Sequence, residues 1–254
     1  MSFLSLSHVG FSFPGWPHAL HDIDLHIEQG EMHCLVGRSG SGKTTLLKIA
    51  AGLLSPATGT IALRGRAPAA QRADIGFMFQ SPTLLEWRRV IDNVLLPVSL
   101  QRPPSAEDRR KARQLLAQLG LADHSERYPR QLSGGQQSRV ALARAMVLEP
   151  VLLLLDEPFA ALDAITREEL QQDLLATCSE RGTTALFVTH DIGEAVFLGD
   201  RVTLLREGEI TRQLGVPLAR PRAPGQRDTP AFAALARALR EAMGAAAVEH
   251  GVPA

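Results

Sequence analysis

The sequence predicts an α/β fold with a mostly parallel sheet, an antiparallel stretch near its start and an inserted helical lobe. Three observations carry that prediction. Met32-His33-Cys34-Leu35-Val36 and Val151-Leu152-Leu153-Leu154-Leu155 are short apolar runs of the kind that form strands covered on both faces. The first runs directly into a glycine-rich octapeptide, Gly37-Arg38-Ser39-Gly40-Ser41-Gly42-Lys43-Thr44, so that strand, loop and helix follow in order. Between Gln80 and Pro150 the apolar spacing becomes helical.

Taken in order, residues 3 to 30 alternate weakly, Ile23, Leu25 and Ile27 against Asp24, His26 and Glu28, as an exposed antiparallel strand does. Met32–Val36 is the first buried strand, and a helix is expected from near Lys43. Residues near 59 to 63 and 75 to 79 read as further strands. Ala112, Leu115, Leu116 and Leu119 repeat at helical spacing, and the charged run Glu107 to Arg113 is a solvated helix face. A helix is expected from Gln136 to Val147, strands over Val151–Leu155 and Thr184–Thr189, a helix to about Leu198 and a strand over Arg201–Arg206. Pro217, Pro221, Pro224 and Pro230 then break regular structure, and the alanine-rich stretch Phe232 to Ala247 forms a last helix. This divides the chain into one domain over 1–225, with its helical lobe at about 81–150, and a short helical tail over 226–254.

Composition excludes several functions. The 254 residues carry 27 Lys plus Arg against 27 Asp plus Glu, so no electrostatic footprint for nucleic acid is expected. The two cysteines, Cys34 in a predicted strand and Cys178 in a predicted helix, match neither metal nor disulfide spacing, which points to a reduced cytosolic setting. His18, His21, His26 and His33 suggest no metal site. The first residues lack a signal-peptide pattern and no uncharged apolar run approaches about 18 residues, so no segment is expected to enter a membrane.

The octapeptide fits G-x-x-x-x-G-K-[ST]. Its glycines let successive amides, from about Ser39 to Thr44, turn toward the phosphates of a nucleotide. Lys43 adds a point charge near the β- and γ-phosphates, and the Thr44 hydroxyl is placed to ligate Mg²⁺. The helix that begins there directs its positive end at the same groups, with Thr45 in its first turn. The pattern predicts the core of a P-loop NTPase.

Cleavage needs a carboxylate on a neighbouring strand. Asp156 and Glu157 follow the five aliphatics of the second run, where α/β folds place ligands. Asp156 is expected to hold the Mg²⁺ shell and Glu157 to act as general base for the attacking water. Gln80 and His190 also end strand-like runs, Gln80 to sense the metal or the lytic water and His190 to donate a hydrogen bond to the γ-phosphate. A second glycine signal, Leu132-Ser133-Gly134-Gly135-Gln136, opens a helix and forms another anion site, yet no second set of carboxylates accompanies it.

Over roughly residues 3 to 215 these motifs resemble, in order, the ATP-binding subunits of ABC transporters: Walker A at Gly37–Thr44, Q-loop at Gln80, signature at Leu132–Gln136, Walker B at Val151–Asp156, then Glu157, the D-loop Ala161-Leu162-Asp163, and His190. The resemblance implies that adenine stacks on an aromatic near the first strands, with Phe13 the nearest match and Phe11 the alternative; Phe stands where Tyr is commoner. It also implies that Ser133, Gly134, Gly135 and Gln136 contact ATP held by a second ATP-binding subunit, so that two copies complete each other's sites. Ser138 replaces the usual Gln without touching these contacts. Leu84-Leu85-Glu86-Trp87, Tyr128-Pro129-Arg130-Gln131 and Thr189-His190-Asp191-Ile192-Gly193-Glu194-Ala195 are similar to the nitrate, sulfonate and taurine importer group, although Glu86 stands where that group has Pro. The implied function is ATP hydrolysis that energises an importer, with ATP and Mg²⁺, separate transmembrane permease subunits and an extracytoplasmic solute-binding protein. The implied place is the cytoplasmic face of the membrane, and Trp87 is a candidate for the groove that receives the permease. An exporter or lipoprotein-release subunit, a soluble ABC ATPase acting on DNA or ribosomes, and a P-loop kinase are the competing readings.

Overall fold

A computed structural model describes residues 2–14 and 16–244. The chain forms two compact units, one of Met1–Gln71 with Ala185–Ala254 and the other of Arg72–Thr184.

In the first unit β1 (Leu4–Phe13) pairs antiparallel with β2 (Trp16–Ile27) on one side and, across the chain, with β4 (Thr58–Leu63) on the other. The expected alternation is present: Ile23, Leu25 and Ile27 are buried while Asp24, His26 and Glu28 are exposed. A second layer centres on β3 (Met32–Val36), which lies between β7 (Thr184–Thr189) and β8 (Arg201–Arg206) and runs parallel to both. All five residues of β3 are buried, as a strand flanked and covered on both faces requires. β8 turns back through Glu207-Gly208 into an antiparallel β9 (Glu209–Gly215). Both turn residues have positive φ, 49° and 83°, the type I′ geometry that matches strand twist. The apolar pattern of β9 is too weak to be expected from sequence, since only Ile210 and Leu214 are even half-buried.

α1 (Lys43–Ala50) follows β3, and α7 (Ile192–Leu198) follows β7. α8 (Pro230–Gly244) packs on α7 and buries Phe232, Ala236 and Leu239. It starts at Pro230, where a missing N–H costs nothing. The last residues of the expected helix, 245–247, lie outside the described residues.

At the foot of β3, Glu31 gathers three donors. Arg201 reaches its two oxygens at 2.7 and 2.6 Å, His33 Nδ1 lies 2.8 Å away, and the Glu28 amide donates at 2.8 Å. Burial pushes this carboxyl up, but the hydrogen bonds from Arg201, His33 and Glu28 outweigh it and hold it at about 2. Because the folded-state value is depressed, the stability Glu31 contributes is present above its ordinary value near 4.5 and is lost as pH falls toward about 2. Glu31→Gln is expected to cost about 1.5–3 kcal/mol at neutral pH by weakening the charged hydrogen bonds with Arg201, and to flatten the acid limb of the stability curve. Urea melts at pH 7 and pH 3.5 check both.

The second unit contains the parallel pair β5 (Ile75–Met78) and β6 (Leu152–Asp156). It also holds α2 (Val90–Val94), α3 (Leu96–Ser99), α4 (Ala106–Gln118), α5 (Gly134–Met146) and α6 (Ala164–Arg181). α4 buries Ala112, Leu115 and Leu116 and leaves Glu107 and Arg110 in solvent, the expected charged face. Cys34 and Cys178 are both buried, and neither forms a disulfide. Among the described residues no helix is long and apolar enough to cross a membrane.

Candidate nucleotide-binding site

β3 delivers the chain into the glycine loop. Gly40 and Gly42 have φ of 81° and 99°, left-handed values that glycine adopts without strain. Gly37 is needed for space instead, because a Cβ there would lie 2.2 Å from the Leu205 carbonyl oxygen and 2.6 Å from Ser41 Oγ. Lys43 is buried, and its Nζ donates to the carbonyls of Gly37 at 2.8 Å and Arg38 at 2.9 Å. Arg38, Ser39, Gly40 and Thr44 are exposed and Thr45 half-buried. The β8–β9 turn braces this loop from behind: the Gly208 amide donates to Ser41 O at 3.2 Å, and Gly208 O accepts from the His21 amide at 2.8 Å.

Two features of the loop suit an anionic group such as a phosphate. Helix α1 begins at Lys43 with no side-chain cap and no acidic residue in its first turn, so its positive end is open to an anion. Ser41 Oγ is buried with no hydrogen-bond partner, a polar atom that awaits one.

Parallel register places the other groups. Val36 lies opposite Thr189, so His190 leaves the sheet beside the start of the glycine loop. His190 is exposed, and the residues around it are tied down. Thr189 Oγ1 donates to Glu194 Oε2 at 2.6 Å and accepts from the Asp191 amide at 2.9 Å, and Asp191 caps α7 through the Glu194 amide at 3.1 Å. In the second unit Met78 lies opposite Leu155, which brings Gln80 and the Asp156-Glu157 pair to one strand edge. Asp156 is buried as the last residue of β6, and Gln80 is exposed. Glu157 is half-buried at φ 45°, a left-handed conformation that costs a non-glycine residue about 1–2 kcal/mol. Such strain concentrates at functional sites.

Ser133 caps α5 in a reciprocal box: its Oγ accepts from the Gln136 amide at 3.2 Å, and Gln136 Oε1 accepts from the Ser133 amide at 3.0 Å. The two glycines that follow differ. A Cβ at Gly135 would meet Thr166 Cγ2 at 2.3 Å, so packing on α6 demands glycine there. A Cβ at Gly134 would meet nothing within 4 Å, and its φ is ordinary. Asp163, in the expected D-loop, caps α6 by accepting from the Thr166 amide at 3.0 Å, and that bond holds its carboxyl below the usual range. Ser138 is buried on α5 and takes no part in the cap.

Phe13 is 39% exposed, and Phe11 meets it edge-on with ring centroids 4.9 Å apart. Trp87 is 75% exposed. Sequence reading missed three supports: the Glu207-Gly208 turn, and the side chains of Asn93 and Arg144 that hold the loop after Gln80. The turn had a signal, a Glu-Gly pair closing an apolar run. The other two act over distances that no local pattern encodes.

Comparison with known proteins agrees with this geometry. Residues 20–160 match the family model described as ABC transporter. The chain is 50% identical over 206 residues, 81% of its length and 73% of the relative's, to "Aliphatic sulfonates import ATP-binding protein SsuB 2" of Pseudomonas aeruginosa. It is 46% identical over 237 residues, 92% of its length and 75% of the relative's, to the protein named SsuB of Cupriavidus necator. Among solved structures it resembles cbiO1 of Clostridium perfringens, described as part of the ABC transporter complex cbiONQ (TM-score 0.78, 30% identity, 85% and 89% of the two chains). It also resembles a dimeric ATP-binding cassette, MJ0796, bound to ADP and Pi (TM-score 0.76, 34% identity, 85% and 100%). The phosphate loop, the strand-end carboxylates and the capped signature helix thus sit in a chain that belongs to the ABC transporter family.

Proposed function

We propose that this chain is the ATP-hydrolysing subunit of an importer for aliphatic sulfonates and related small solutes. The observation that carries the hydrolytic reading is the glycine loop at the end of β3, with an uncapped helix start and an orphaned buried hydroxyl at Ser41. The names of relatives 46–50% identical support the solute class and the direction of transport.

In this reading the amides from Ser39 to Thr44 and the Lys43 ammonium hold the phosphates of ATP, Thr45 supports them, and Phe13 stacks on the base. Thr44, Asp156 and Gln80 offer the hard oxygen donors that Mg²⁺ takes. When bound, Mg²⁺ neutralises charge on the phosphates. Glu157 accepts a proton from the attacking water, and His190 donates a hydrogen bond to the γ-phosphoryl oxygens. Ser133 and Gly134 face the ATP of a second copy, and Asp163 lies at the junction of the two. The free space at Gly134 supports this, because nothing within the chain requires glycine there. Residues 1–225 serve as the cassette and 226–254 as a tail. The cassette sits on the cytoplasmic face of the membrane through its permease, which receives solute from an extracytoplasmic binding protein.

The test is phosphate release by the chain reconstituted in proteoliposomes with the permease and solute-binding protein of a sulfonate importer. A short alkanesulfonate with its binding protein is expected to raise ATP hydrolysis several-fold. Equal release with and without sulfonate would remove the solute class, and no release at all would remove the ATPase.

A further inference from the structure

The loop from Gln80 to Arg89 carries two groups of interest, Gln80 and the exposed Trp87, yet has no regular structure. It is held at two points. On one side Asn93 of α2, fully buried, accepts from the Leu85 amide at 2.7 Å and donates to the carbonyls of Leu85, Arg88 and Arg89, each at 3.1 Å. On the other side Arg144, in the last turn of α5, donates to Thr83 O at 2.8 Å, Pro82 O at 2.6 Å and Thr83 Oγ1 at 3.0 Å. Thr83 takes φ 45° to present these acceptors.

Arg144 is an unusual use of a charge. Among the described residues no carboxylate lies within ion-pair distance of it, and burial alone pulls its guanidinium below the ordinary value. A half-buried cation satisfied by loop oxygens, with no carboxylate beside it, gains no ion-pair attraction. Its planar fork is suited to something else, since it binds two consecutive residues in fixed directions, which a lysine ammonium does not. The neighbouring Ala145 tightens the same junction, because a Cβ on Gly76 of β5 would lie 2.3 Å from its carbonyl oxygen. The last turn of α5 is therefore packed against the strand that leads to Gln80 and bonded to the loop that follows it. The first turn of α5 is the Ser133 cap, about 16 Å away along the helix.

We propose that Arg144 is a positioning residue for ATP hydrolysis: it fastens the loop bearing Gln80 and Trp87 to the signature helix, so that displacement of Ser133 by a partner's nucleotide reaches that loop without slip. The proposal rests on the reading of Ser133 and Gly134 as contacts to a second copy's ATP. Asn93 holds the backbone on both sides of Trp87, at Leu85 and at Arg88 and Arg89, and Arg144 holds Pro82 and Thr83 between that stretch and Gln80.

The experiment uses the full chain with Trp16→Phe, which leaves Trp87 as the sole tryptophan of the original 2. Arg144→Lys keeps charge and bulk but loses the fork. It is expected to lower Trp87 anisotropy without nucleotide and to reduce kcat about tenfold, with KM for ATP within twofold. In a Glu157→Gln background, the ATP-induced change in Trp87 emission is expected to shrink at least fivefold while ATP-dependent dimers still form. Thr83→Val, which removes a single acceptor, is expected to move the same readouts less, and an unchanged melting temperature separates the effect from a folding defect. Unchanged anisotropy overturns the fastening, and lowered anisotropy with a full ATP-induced change overturns the transmission. If the Trp16→Phe protein neither dimerises with ATP nor hydrolyses it, the functional reading falls, whereas the anisotropy comparison still decides the fastening.

Discussion

Glu157→Gln is expected to lower kcat by about 10²–10⁴, the contribution of a positioned general base, or about 2.7–5.4 kcal/mol on the barrier. KM for ATP should stay within a few-fold, because the phosphate-binding groups lie on the loop after β3. The substitution is nearly isosteric and leaves the left-handed turn at φ 45° to the same backbone, so the fold should be unaffected. What changes is proton affinity: an amide oxygen cannot take the proton of the attacking water. ATP-dependent dimers should therefore accumulate rather than disappear, and gel filtration with ATP should show them. Steady-state phosphate release near the wild-type rate would sink the role given to Glu157.

Gly134→Asp is the second large effect, and it separates stability from turnover. The position begins α5 and a Cβ there meets nothing within 4 Å. A carboxylate in the first turn of a helix stabilises it by about 0.3–1 kcal/mol. The isolated subunit should thus melt no lower than wild type and should still bind ATP. Against a partner's phosphates the same carboxylate meets like charge, worth about 4 kcal/mol at 4 Å and an effective dielectric of 20. Hydrolysis should then fall near a thousandfold. Retained hydrolysis would refute the shared site, and so would loss of ATP binding by the monomer. A melting curve, a nucleotide-binding titration and a phosphate-release assay on one preparation decide it.

Much of this fold is legible in the chain because its central strands are buried on both faces. Met32–Val36, Thr184–Thr189 and Arg201–Arg206 are read to the residue, and β6 begins one position later than the aliphatic run. The glycine loop is legible because conformation and contact both require its residues. β9 is not, since a strand with one paired neighbour and little burial needs no apolar alternation. Arg144 is invisible for another reason: its partners lie 61 and 62 positions away, and an arginine near a helix end reads as an ordinary dipole complement. The contrast between Gly134 and Gly135 is equally hidden, because only the placement of Thr166 tells them apart.

The Ser133 cap has a chemical consequence. A hydroxyl offers two lone pairs and one proton, and holding the Gln136 amide at 3.2 Å occupies a lone pair. The proton is left over. Serine can therefore keep its helix wound and, with the same oxygen, donate to an incoming phosphate, so that engagement and release need not unwind a turn. Aspartate would cap as well but would meet the phosphate with a negative charge, and alanine would do neither. In the proposed shared site, one serine oxygen would thus both cap the helix and meet the phosphate.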